Sequence, residues 1–230
     1  MGTVSRFTKK MPTLLQNFFY ATVPFSYRYG KDFRNIYTFI DKSQWWNKEK
    51  LYAYQIEQLN LLLEHAYLNV PYYHRIFDER RLAPKDIQNI SDLKQLPILT
   101  RDIVCENYKD LIAQNILQSN LIKFSTSGAT GNPLTFLGTN YMYKAEAAFI
   151  VRAFNAHGLQ LYKEKTIWLR RYVPDIGKPI FKYDSELNRL YLSAYHLSHN
   201  SIAKYVQLIN DYGGTVLVGY PSSLYILALL

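Results

Sequence analysis

One cysteine in 230 residues, Cys105, leaves no room for an internal disulfide or for a cysteine-cluster metal site. It falls in a helical pattern between Val104 and Glu106, with no neighbouring histidine to activate it. We read it as a structural or incidental thiol, and such sparing use of cysteine fits a reducing compartment. Acidic side chains are also few: 18 Asp and Glu stand against 27 Lys and Arg, a net charge of +9. That excess favours anionic partners, whether nucleotides, acidic sugars, nucleic acid or an anionic membrane surface, without choosing among them. Long hydrophobic runs are missing, so no transmembrane helix is expected. Residues 5–27 come nearest to a targeting segment, because Arg6, Lys9 and Lys10 precede an apolar stretch. Pro12, Gln16 and Asn17 interrupt that stretch, and no small-residue cleavage site follows. The reading is a basic, aromatic N-terminal segment that packs on the body of the protein. Weak contact with an anionic membrane surface is the minority alternative. Tyrosine is abundant, at 21 residues, but no compact Arg/Lys run interleaved with aromatics occurs, and no nucleic-acid partner is expected.

What is present is the composition of a folded chain. Apolar residues make up 48% and charged residues 20%, enough for a good core in one or two domains. The first half reads as helical. Leu51, Ile56, Leu59, Leu62, Leu63, Ala66 and Val70 recur near the 3.6-residue period. Asn47 suits the N-cap of this helix, and Pro71 ends it by disfavouring helical backbone at Val70. A second helix is expected from Pro71, and Ser91 and Thr100 look like caps of short helices. His65 and His74 lack metal-ligand spacing and are read as structural.

The pattern changes near residue 119. Strands are expected at 121–124, 134–137, 165–170, 190–195 and 215–218, alternating with helices at 141–156, 198–210 and from Pro221 onward. Alternation of this kind argues for an α/β sheet. The expected organisation is a helical N-terminal region, 1–118, followed by a partial α/β domain, 119–230. The last helix closes on Tyr225–Leu230 with no glycine cap, basic last turn or polar tail, so a truncated protein is expected.

The most informative stretch is Ser125-Thr126-Ser127-Gly128-Ala129-Thr130-Gly131-Asn132-Pro133, in which six of nine residues are Gly, Ser or Thr. Two glycines allow positive φ, so successive backbone N–H groups can point into one concavity, and the hydroxyls add donors. The segment carries no charge, so it offers an anion directed hydrogen bonds. A P-loop is excluded because Asn132-Pro133 and a strand pattern replace the Lys and helix it requires. A dinucleotide fingerprint fails on glycine spacing. A polar hairpin turn is the plain alternative.

Thr126–Pro133 resembles the phosphate-binding signature of the adenylate-forming superfamily, Thr-Ser-Gly-[Ser/Thr]-Thr-Gly-x-Pro. Flanking pieces narrow the resemblance to phenylacetate–coenzyme A ligases and CapK-like capsular polysaccharide biosynthesis proteins: Gln55–Tyr73, Leu93–Asp102 and Gly219–Leu224. Pro12–Asn17 and Leu192–Leu197 resemble the CapK-like members in particular. These pieces run through most of the chain in the family's order. Ala129 departs from the pattern where a hydroxyl residue is usual, and Leu134 stands where many relatives have Lys.

The resemblance implies an α/β fold of the adenylate-forming type and an AMP-forming acid–thiol ligase acting in surface-polysaccharide biosynthesis in the cytoplasm. Such enzymes use ATP and magnesium, release pyrophosphate, and pass the acyl group to a thiol such as coenzyme A. Thr126, Ser127, Gly128, Thr130 and Gly131 would hold the departing phosphates. Tyr220 and Ser222 are candidate acyl-pocket contacts, the plain alternative being a strand-to-helix turn capped by Ser. No catalytic residue and no metal ligand is assigned. The family's adenine, ribose and magnesium motifs do not occur in this sequence, so an inactive fragment is expected, with a non-catalytic scaffold or partner-binding remnant as the alternative. A homodimer is a further candidate arrangement.

Overall fold

The computed structural model describes residues 11–126, 134–170, 172–174 and 179–230. The chain divides into two compact units, one of residues 38–145 and one of residues 1–37 with 146–230.

In the unit of residues 38–145, helix α4 (Lys48–Asn69) starts where the sequence places it. The Asn47 side chain accepts from the Lys50 N–H at 3.0 Å, satisfying a donor that the first turn leaves unpaired. Val70 is extended, and Pro71 opens helix α5 (Pro71–Glu79) at its first position, where its missing N–H costs nothing. Leu63, Phe77 and Ile87 form the buried core between these helices and the 3₁₀ turns that follow. The first of the two expected short helices is capped differently from the reading above. It is a 3₁₀ helix, Ile90–Gln95, with Asn89 as N-cap and Ser91 inside it. The Asp92 carboxylate accepts from the backbone N–H groups of Gln88 and Asn89, which fixes the start two residues earlier. Thr100 caps helix α6 (Arg101–Glu106) as expected. Strands β1 (Leu121–Ser125) and β2 (Thr135–Thr139) then pair antiparallel, Leu121 opposite Thr139 and Ser125 opposite Thr135.

The other unit is built on a four-stranded mixed sheet in the order β4-β5-β3-β6. Strands β3 (Thr166–Arg170), β5 (Arg189–Ser193) and β6 (Val216–Gly219) are parallel, and β4 (Phe181–Asp184) runs antiparallel along β5. Four of the five residues of β3 are buried, as a central strand covered on both faces requires. Ile167, Leu169, Leu190, Leu192 and Tyr205 make the core, with Tyr205 contributed by helix α8 (Ile202–Tyr212). Gly213, at φ +62°, ends α8, and helix α9 (Pro221–Leu229) follows β6. The N-terminal residues form helices α1 (Thr13–Thr22), α2 (Phe25–Arg28) and α3 (Gly30–Ser43), the last running on into the other unit. Phe25 stacks on Tyr162 and meets Phe33 edge to face, so the stretch after Pro24 packs by its aromatic rings. Helix α7 (Asn140–Asn155) also crosses the boundary between units and ends before Gly158, at φ +73°.

Candidate functional site

The glycine-rich segment is held at its base by one residue. The Thr126 N–H donates to the Leu134 carbonyl, and Thr126 Oγ1 accepts from the Leu134 N–H, both at 2.9 Å. The side chain thus substitutes for a backbone carbonyl and extends the β1–β2 ladder by one rung. Its hydroxyl hydrogen remains a donor. Phe124 stacks on Phe136 across the strands and lies 5.1 Å from the Tyr143 ring, which stiffens the hairpin. A Cβ at Gly138 would collide with Met142 and with the Phe124 ring, so glycine is what lets α7 close on the strands. Of the residues assigned to phosphate, Thr126 is described; Ser127, Gly128, Thr130 and Gly131 lie outside the described residues.

Tyr220 and Ser222 sit at the junction of β6 and α9, and both are exposed. The junction is a strand-to-helix turn, but no serine caps it: Tyr220 occupies the N-cap position and no side chain makes a cap hydrogen bond. Pro221 at the first helical position removes one of the donors that a cap would serve. The turn is tight because Gly219 has no side chain. A Cβ there would come within 2.9 Å of Leu224 and 3.1 Å of the Leu169 carbonyl oxygen.

The parallel register gathers residues that the sequence keeps far apart. Arg170 is level with Ser193, and Leu169 with Gly219, so Arg170, Ser193 and Tyr220 mark the carboxyl ends of three adjacent parallel strands. In open α/β sheets this edge is where ligands bind. Arg170 is exposed, its guanidinium 4.4 Å from the Trp168 ring centroid and 6.0 Å from that of Tyr220. Ser193 is fully buried and its hydroxyl lies 2.8 Å from His196 Nδ1. The Tyr205 hydroxyl donates to the Ser193 carbonyl at 2.6 Å, and burial pushes its pKa up to about 12. Arg170 and the Ser193–His196 pair escaped the sequence reading. A strand-terminal arginine before a loop was the available signal, and register alone relates it to Tyr220. With guanidinium, phenol and imidazole at one edge, the arrangement suits hydrogen bonding to an anion.

The histidines singled out above have structural partners. His74 Nδ1 lies 3.0 Å from the Tyr67 carbonyl, with Nε2 3.5 Å from Asp78, and His65 Nδ1 lies 3.3 Å from the Asn69 amide. Cys105 is a free, exposed thiol.

No family model matches the chain. Protein CapK of Staphylococcus aureus is 25% identical over 181 residues, which are 77% of this chain and 40% of that protein. The phenylacetate-coenzyme A ligase of Escherichia coli K12 is 31% identical over 175 residues, 76% of this chain and 39% of the ligase. The chain is thus similar, over about three quarters of its length, to CapK and to phenylacetate–coenzyme A ligases. The chain spans about two fifths of the length of these curated relatives. Among solved structures, 2-hydroxyisobutyryl-CoA ligase, crystallised with 2-HIB-AMP and CoA in its thioesterification state, superposes with a TM-score of 0.60. The superposition covers 80% of this chain and 40% of that enzyme, at 17% identity, and supports the α/β fold. Among the described residues, no helix is long and apolar enough to cross a membrane.

Proposed function

We propose that this chain is the N-terminal part of an AMP-forming carboxylate ligase, the part that holds the β- and γ-phosphates of ATP. The observation that carries the reading is the Thr126–Leu134 clasp at the base of the glycine-rich segment, in a chain whose curated relatives include coenzyme A ligases. A hairpin closed by a side chain fixes the two residues that flank segment 127–133, whose N–H and hydroxyl groups are the donors this reading gives to phosphate. Thr126, Ser127, Gly128, Thr130 and Gly131 take the phosphate oxygens in this reading, and Tyr220 and Ser222 border the acyl group. The cationic strand edge at Arg170 suits the negative charge of a carboxylate or phosphate. Magnesium would accompany ATP, yet the described residues hold no group of three or more His, Cys, Asp or Glu side chains placed for a metal ion, so we assign it no ligand and no step here. Thiol acceptance by coenzyme A, a role in capsular or surface polysaccharide synthesis through the likeness to CapK, and a cytoplasmic setting belong to the same proposal.

Calorimetric titration with ATP, tripolyphosphate and adenosine tests the phosphate reading. Weak binding of ATP and tripolyphosphate is expected, at least three-fold weaker in Thr126→Val and in Ser127→Ala, with adenosine inert. Adenosine binding as tightly as tripolyphosphate, or phosphate binding unchanged in both variants, would defeat it.

A further inference from the structure

Charge is not spread evenly along the chain. The first 37 residues hold six Lys and Arg against one Asp, a net +5 of the total +9. Arg28 is buried, which leaves Arg6, Lys9, Lys10, Lys31 and Arg34 against the single Asp32. Neither the glycine-rich segment nor the strand edge at Arg170 draws on this concentration of charge.

Pro24 divides the segment in two. Beyond it Phe25 and Phe33 are buried, so this part packs inward. Ahead of it, α1 turns an apolar face to solvent. Leu15 is 54% and Phe18 69% exposed, and exposed Thr22 lies one turn further on the same face, at the spacing i, i+3, i+7. The Thr22 hydroxyl donates to the Phe18 carbonyl at 2.8 Å, so the polar atom of that face is satisfied within the helix. Tyr27, 64% exposed, follows, with the Arg34 guanidinium 4.8 Å from its ring centroid. Cations flank the face in sequence on both sides. Lys10 stands three residues ahead of Thr13, within roughly 11 Å of it even in a fully extended chain. Lys31 is exposed at the start of α3.

We propose that this face of α1 docks on an anionic lipid bilayer. Leu15, Phe18 and the Thr22 methyl group enter the boundary between headgroups and acyl chains, and Tyr27 sits at headgroup level. Lys9, Lys10, Lys31 and Arg34 meet the negative charge of the lipid phosphates. Charge complementarity selects this occupant. A second copy would set +5 against +5, and nucleic acid would offer the aliphatic Leu15 no apolar interior. A bilayer with anionic headgroups answers both the charge and the exposed apolar face. Each cation near such a surface strengthens attachment about five-fold, whereas a short apolar turn alone gives marginal binding. Together they give a reversible, salt-sensitive contact. The contact is independent of the ligase reading and uses no residue beyond Arg34.

Vesicle co-sedimentation of the 230-residue chain tests it, with vesicles of phosphatidylcholine alone and of equal parts phosphatidylcholine and phosphatidylglycerol. The mixed vesicles should bind about ten-fold more tightly or better, and the preference should vanish at about 1 M salt, where charge is screened within ~3 Å. Lys9→Gln with Lys10→Gln should weaken binding about ten-fold or more. Lys85→Gln with Lys94→Gln removes the same charge from exposed positions of the other unit and should change binding less than about three-fold. Leu15→Ser with Phe18→Ser keeps every charge and should weaken binding about ten-fold or more. Both side chains are exposed, so the circular dichroism spectrum should be unchanged. Equal binding to the two kinds of vesicle, equal loss from the two lysine pairs, or binding indifferent to the serine pair would each overturn the proposal. So would a dimer in analytical ultracentrifugation that the serine pair dissolves, since the face would then belong to a second copy.

Discussion

Tyr205 carries more than one duty for a single side chain. It is fully buried in the sheet core, and its hydroxyl ties α8 to the carbonyl of Ser193 at the end of β5. Replacing it with Phe keeps the ring and leaves that carbonyl without its donor, a cost of about 1–3 kcal/mol. The urea midpoint of Tyr205→Phe at neutral pH should fall accordingly. The pH dependence has a definite sign. Burial raises the folded pKa from 10.0 to about 12, so between those values the unfolded chain loses the proton while the folded chain keeps it. Stability is therefore intact below pH 10 and declines as pH rises toward 12. Tyr212, also raised to about 12, adds to the same decline, so the contribution of Tyr205 is the difference between wild type and Tyr205→Phe. That difference should narrow as the pH passes from 10 to 12; a constant gap would show that Tyr205 is not the titrating group.

At the level of elements, the β6–α9 junction depends on the smallest residue. Gly219→Ala would push a methyl group against Leu224 and toward the Leu169 carbonyl oxygen. Overpacking of this kind costs roughly 1–3 kcal/mol. Chemical denaturation should register it, and hydrogen exchange should accelerate in Val216–Gly219 first. A variant as stable as wild type would mean that helix and strand are free to move apart. The elements also show where sequence was a sufficient guide. Helix α4 was readable at both ends because Asn47 and Pro71 act locally, through one cap bond and one forbidden backbone region. Ser91 misled because Asn89 and Ser91 are both good caps, and the Asp92 carboxylate decided between them. Strand β4 was not foreseen: four residues, Phe181–Asp184, give too short an alternation to stand out, and only pairing with β5 makes them a strand. The N-terminal region was expected to be helical, but the bounds of its first two helices were not read, since Pro12 and Pro24 begin helices here. For the site, the two strands that flank the glycine-rich segment were legible. The cationic edge was not, since Arg170 and Tyr220 become neighbours through sheet register.

For the molecule as a whole, charge and extent set the expectations. A net charge of +9 suits nucleotide and carboxylate ligands alike, so selectivity has to come from the shape of each site. Four charge-assisted hydrogen bonds to phosphate give a gross ~6–12 kcal/mol. Association itself costs about 4–15 kcal/mol, which leaves little net affinity without further contacts to adenine, ribose and metal. Carboxylate-dependent release of pyrophosphate by the purified 230-residue chain is accordingly expected to be undetectable in a coupled phosphate assay, and turnover would refute that.

The sheet, finally, is not the same at its two margins. On one side β4 runs against its neighbour; on the other β6 runs with it. A further strand delivered by a helical crossover would find a like-directed neighbour only past β6, where α9 already leads away from the sheet. Growth of this architecture, by evolution or by engineering, therefore has a direction, and grafts intended to enlarge it belong on that flank.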